Sequence, residues 1–190
     1  MHQYLVIVVG VAVLLALHLI NVFNGLVRRR NAVENIEGSV DAVLKKRYDL
    51  IPNLVASVTP YVQHERELLE SVTALRAKGA AAQAGTSDHV EVDRQLTVGL
   101  AKLVAVSEQY PELKANQSFL ALQASLNQVE DQLAAARRTY NAVVTQYNDG
   151  IETFPGNLLA GFLGMKHRTV FHVDETQRQG VNVKDLFRAA

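Results

Sequence analysis

The side chains equipped for chemistry in this chain are 6 histidines, 19 acids and 19 bases, and there is no cysteine. His64-Glu65 is the pair that first suggests a metal. The helical zinc-protease spacing needs a second histidine four residues after the first, and that place holds Leu68. The other histidines, His2, His18, His89, His167 and His172, are scattered, and each is expected to be solvated or singly bonded. Glu65 with Glu67, and Glu130 with Asp131, read as ordinary helix-surface charges. There is no Gly-rich phosphate loop and no Gly-x-Ser-x-Gly elbow. Lack of cysteine excludes disulfides, iron–sulfur clusters and thiolate zinc. The expectation is no catalytic residue, no metal and no cofactor. A formally neutral chain also argues against nucleic acid, which requires a basic face.

One polar repeat stands apart. Tyr140-Asn141 recurs one heptad later as Tyr147-Asn148. A buried tyrosine needs a partner for its hydroxyl, and an asparagine beside a helical seam fixes register. These four residues are expected to specify which helices pair. A ligand site is the lesser alternative.

The element that must position them runs from Phe119 to Ile151. Phe119, Leu122, Leu126, Val129, Leu133, Ala136, Tyr140, Val143 and Tyr147 alternate steps of three and four. No Gly or Pro interrupts the run from Phe119 to Asp149, so one long helix is predicted. Upstream, Tyr4 to Val27 is overwhelmingly apolar and uncharged. About 20 helical residues cross a hydrocarbon core, so this segment is long enough to span one. It is too long for a signal-peptide core and no small-x-small cleavage site follows it. Arg28, Arg29 and Arg30 come next. By the positive-inside tendency they place the N-terminus outside and the body in the cytoplasm, beside anionic headgroups.

Val33, Ile36, Val40 and Val43 predict a further helix, closed by Lys45, Lys46 and Arg47 at its negative end. Pro52, in Tyr48-Asp49-Leu50-Ile51-Pro52-Asn53, predicts a break or strong kink, with one bent continuous helix as the alternative. Ile51, Leu54, Val58, Tyr61, Glu65, Leu68, Val72 and Leu75 make the next stripe. Glu65 is a charge in an apolar slot. It either reaches water at the bundle edge or pairs with Arg137 or Arg138. Lys78 to Ser87 reads as a loop capped by Ser87 or Asp88, and Val90 to Tyr110 as a helix. Pro111 to Asn116, including Lys114, is a turn, with Asn116 or Ser118 capping the long helix. Leu158 to Met165 is expected to be a short capping helix, without the basic face of an interfacial helix. His167 to Ala190 reads as an extended tail docked on its own bundle or on a neighbouring subunit.

These residues resemble the LemA family. The likeness is carried by Arg30-Asn31 with Val33, by Leu44 to Val55 including Arg47 and Pro52-Asn53, and by Tyr61 with His64-Glu65. It continues through Pro111 to Asn116, Phe119, Leu122-Gln123, Glu130, Ala136-Arg137, Tyr140-Asn141, Tyr147-Asn148 and Phe154-Pro155. Asn35 stands near where an aromatic is common in that family, and the tail after Met165 matches loosely. The resemblance implies a bacterial single-span membrane protein with an antiparallel helical body. It implies no established activity, and it suggests membrane metalloproteases or other small membrane proteins as partners.

The expected architecture is all-α. A transmembrane anchor occupies 1–27, an antiparallel up-and-down bundle 28–155, and a capping helix with extended tail 156–190. The expected function is a non-enzymatic scaffold that self-assembles, since the apolar stripes exceed what a thin bundle can bury. The alternative is an adaptor of a membrane protease or sensor, docking through Asp49–Asn53 or Pro111–Asn116.

Overall fold

The computed structural model describes residues 1–62, 64–82 and 87–171. All regular structure among them is helical. The helices are α1 (His2–Val58), α2 (Arg66–Ala81), α3 (Ser87–Ser107), α4 (Pro111–Lys114), α5 (Gln117–Glu152) and α6 (Gly156–Phe162). Two compact units result, one of Met1–Glu34 with Thr139–Ala190 and one of Asn35–Arg138. Helices α1 and α5 contribute to both.

The first stretch of α1 is long and apolar enough to cross a membrane, by length and composition, and none of it is buried. Leu5, Val9 and Leu14 stand open, and burial begins at Leu26. Further along, Val40, Leu44, Ile51, Leu54 and Val58 form the buried stripe. Each such side chain contributes about 1.5–3 kcal/mol when fully buried. Between Leu44 and Ile51 the stripe is continued by Arg47 and Tyr48, both buried.

Pro52 does not break α1, which passes through it. The missing N–H would have bonded the Tyr48 carbonyl four residues back. Arg76 Nε donates to that carbonyl oxygen instead, at 3.1 Å. The helix ends before Pro60, a second proline whose ring disfavours helical backbone at Thr59. The stripe expected to run unbroken from Ile51 to Leu75 is therefore two helices joined by a turn. Glu65 precedes α2 rather than sitting on a helical seam.

Helix α2 extends through Gly79 to Ala81, further than a loop from Lys78 allows. Gly79 has a packing reason: a Cβ there would lie 2.8 Å from Tyr48 Oη and 2.9 Å from its Cζ. Residues 83–86, the latter part of the expected Gly/Ala loop, and the Ser87 and Asp88 capping side chains lie outside the described ones, as does the tail beyond Phe171. Asn116 caps α5, its Oδ1 accepting from Ser118 N at 2.9 Å and Phe119 N at 3.2 Å.

Candidate functional site

Two polar constellations stand out, one in each unit. In the Asn35–Arg138 unit, charges occupy slots that the helical period assigns to the core. Arg47 falls between Leu44 and Ile51 on α1, and Asp93 between His89 and Leu96 on α3. Arg47 is 0% exposed and Asp93 2%. Arg47 Nη1 donates to Asp93 Oδ1. Its Nη2 donates to Thr97 Oγ1 at 2.8 Å, and its Nε lies 2.7 Å from Glu130 Oε1 on α5. Arg137 Nη2 donates to the other Asp93 oxygen. Two cations thus face two anions, which is the condition under which buried charge is tolerable.

Beside this cluster, Tyr48 Oη and His89 Nε2 share a hydrogen bond of 3.1 Å. Burial, with the Asp93 charge behind it, pushes the Tyr48 phenol up to about 12. Burial also raises the Glu130 carboxyl, and the Arg47 charge offsets this only in part. On the open side of α3, hydrogen bonds from Arg94 and Gln95 lower Glu91 to about 2.

The second constellation is the Tyr-Asn repeat of α5, in the other unit. After α6, Gly164 adopts φ +63°, a left-handed turn that suits glycine, and the chain reverses. The following segment lies along α5. Asn148 Nδ2 donates to Arg168 O at 2.8 Å, and its Oδ1 accepts from Arg168 N at 3.0 Å. Asn141 repeats the same pair on Phe171, both at 2.8 Å. Tyr147 Oη donates to Lys166 O at 3.1 Å and Tyr140 Oη to Thr169 O at 3.3 Å. The Tyr140 and Phe171 rings also pack, 4.7 Å between centroids.

The spacing explains the repeat. Seven residues of helix advance about 10.5 Å, and three residues of extended chain about 10 Å. Asn148 and Asn141 therefore meet Arg168 and Phe171 in step, running in opposite directions. Each asparagine presents a donor and an acceptor, as a neighbouring β-strand would. The hydrogen bonds of this clasp all go to main chain, and the Tyr140–Phe171 ring contact adds to them. The partners of these four residues are thus a docked segment of the tail, and not the helix pairs expected from the sequence.

The remaining singled-out residues are spread over the surface. Arg28, Arg29 and Arg30 lie toward the surface of α1, as do Asp49, Pro52 and Asn53. Asp49 accepts from Lys45 Nζ at 2.7 Å. Pro111 opens α4, and Lys114 pairs with Glu108 in the open. Asn116 Nδ2 donates to Tyr61 Oη at 3.2 Å. Arg137, considered as a partner for Glu65, pairs with Asp93 instead.

Sequence reading missed Arg47, Asp93, His89 and Thr97 as a set. A signal was present: each of α1, α3 and α5 carries a charge in a seam slot. Late in the long helix Val144 is buried and Val143 only half-buried, so the inner face shifts by one residue there, while Arg137 reaches Asp93 from a half-exposed position. Among the described residues no group of three or more His, Cys, Asp or Glu is placed to hold a metal.

The family model described as "LemA family" matches residues 37–184. The chain is 29% identical over 163 residues to Protein LemA of Metamycoplasma hominis, covering 86% of this chain and 74% of that one. It is 38% identical over 72 residues to Magnetosome protein MamQ 2 of Paramagnetospirillum magneticum, covering 38% of this chain and 26% of that protein. A similar stretch of 73 residues is 34% identical to Magnetosome protein MamQ of Magnetospirillum gryphiswaldense, covering 38% of this chain and 27% of that protein.

Proposed function

Because the chain belongs to the LemA family, we propose that it is a membrane-anchored, non-enzymatic scaffold. In this reading α1 crosses the membrane once, the body is an antiparallel helical bundle at the cytoplasmic face, and copies associate through it. The family, the magnetosome relatives and the exposed apolar half of α1 fit a membrane-associated protein. Arg28–Arg30 support a cytoplasmic body.

The observation that carries self-assembly is the Tyr-Asn clasp. It holds an extended segment by its backbone, so a segment from another copy meets the same bonds as the chain's own. Exchange of one identical element between protomers is a low-cost route to oligomers. The Arg47–Asp93 pair supports the non-enzymatic reading, because its two charges are buried and bonded to each other, with Glu130 and Arg137 at the edge.

The test is light scattering of the full-length protein in detergent. We expect a defined oligomer, converted towards monomer when the chain is cut after Met165 or when Asn141 and Asn148 are both changed to Ala. A full-length chain that is monomeric at working concentrations sinks the proposal.

A second reading, an adaptor for another membrane protein such as a metalloprotease, is favoured by the outward placement of Asp49, Pro52 and Asn53. Photocrosslinking from Asn53 or Lys114 separates the two. Capture of self-copies alone supports the scaffold, and capture of a membrane protein supports the adaptor.

A further inference from the structure

Helix α6 carries an apolar face that no described residue covers. Leu158 and Phe162 are 65% and 94% exposed, and Phe154, just before the helix, is 80% exposed. Four residues apart, Leu158 and Phe162 share one side of the helix. Gly156 and Ala160 are buried. Gly156 marks where the helix meets the rest of its unit. A Cβ there would collide with the Gly150 carbonyl oxygen and come within 3.7 Å of Leu26 Cδ2.

That contact fixes the level at which α6 sits. Leu26 belongs to the last turn of the apolar stretch ending at Val27, and Arg28–Arg30 begin the next turn. The Arg29 guanidinium in turn lies against Gly150, where a Cβ would overlap it. Helix α6 is thus held where apolar residues give way to arginines.

We propose that α6 is a second membrane-contacting element, with Phe154, Leu158 and Phe162 seated in the headgroup–acyl boundary of the bilayer that α1 crosses. This rests on the spanning reading of α1. The exposed apolar residues of α6 belong to a helix that packs beside the last apolar turn of that span. Phe and Leu are side chains that an interfacial helix buries at this boundary. The cationic partner for anionic headgroups, which α6 itself lacks, is supplied by Arg28–Arg30 of the neighbouring turn.

The chain has no tryptophan, so single-tryptophan variants report without background. Phe162→Trp, Leu158→Trp, Leu14→Trp and Val98→Trp are made in the full-length chain and placed in vesicles of neutral and anionic phospholipid. The lipids carry a quencher either near the carbonyls or near the terminal methyl. The expected result is blue-shifted emission at positions 158 and 162, roughly halved by the shallow quencher and less affected by the deep one. Leu14→Trp should respond most to the deep quencher, and Val98→Trp on α3 to neither.

Strong deep quenching at position 14 with none at 158 or 162 overturns the proposal while leaving the span intact. Absence of quenching at position 14 overturns the spanning reading and the proposal with it. A blue shift at 162 that grows with protein density but ignores both quenchers overturns it in favour of contact between copies.

Discussion

Arg47 shows how much a single side chain can decide. It stands in a seam slot, fully buried, and its guanidinium joins Asp93, Thr97 and Glu130. Arg47→Met should destabilise the chain by about 3 kcal/mol, because Asp93 stays buried with only Arg137 to balance it. Adding Asp93→Leu should recover most of that loss, since Arg137 and Glu130 can still reach water. Urea denaturation of the two variants gives both numbers, and equal stabilities would show that the Asp93 charge left behind is not the source of the loss. Tyr48, next to this cluster, makes stability depend on pH. Its pKa is about 12 in the fold against an ordinary 10.0. Below pH 10 the phenol is neutral in both states, so its contribution is complete there. As pH rises towards 12 the unfolded chain ionises first, and the contribution is lost, of order 2 kcal/mol in all. In Tyr48→Phe the alkaline decline should be shallower than in the wild type, as followed by circular dichroism.

At the scale of elements, the continuity of α1 depends on a side chain of another helix. Arg76 of α2 takes the carbonyl that Pro52 leaves free. Arg76→Met should therefore cost about 1–2 kcal/mol in the natural chain. In a Pro52→Ala background it should cost clearly less, because the alanine supplies the N–H that proline lacks. That non-additivity is read from a double-mutant cycle, and additive losses would mean that Arg76 acts elsewhere. The packing of α2 on α1 depends in the same way on Gly79. Gly→Ala inside a helix normally gains up to about 1 kcal/mol. Here the new methyl meets the Tyr48 ring, and overpacking costs about 1–3 kcal/mol. The second effect wins, so Gly79→Ala should lower the melting temperature. A rise would show that the ring moves aside freely.

For the whole molecule, the orientation proposed for it in the membrane rests on where the charges lie. Residues before Arg28 include no Lys, Arg, Asp or Glu, and three arginines follow at once. Replacing Arg28, Arg29 and Arg30 by Gln while adding three Lys after Met1 should invert part of the population. Protease accessibility of the body in right-side-out cells measures this. An unchanged, fully protected body would show that these arginines do not set topology.

Local pattern is enough to identify much of this protein. A long uncharged apolar run, the arginines behind it, the strict spacing from Phe119 to Ile151 and the Asn116 cap are all short-range features. Helix propensity, periodicity and capping act within a few residues, so they can be read along the chain. The Tyr-Asn repeat is visible in the same way, but its partner is not. Arg168 and Phe171 lie 20 and 30 residues beyond the asparagines, and an extended segment has no side-chain code for a main-chain bond. The effects of Pro52 and Pro60 illustrate the same limit. Both remove a helical N–H, yet only Pro52 stays within a helix, because folding brings Arg76 to the orphaned carbonyl. Arg47 resembles a helix-end cation, while its nearer counter-charge lies 46 positions away on α3 and the other further still, on α5. Packing in three dimensions alone decides whether such a charge faces water or is enclosed with Asp93 and Glu130.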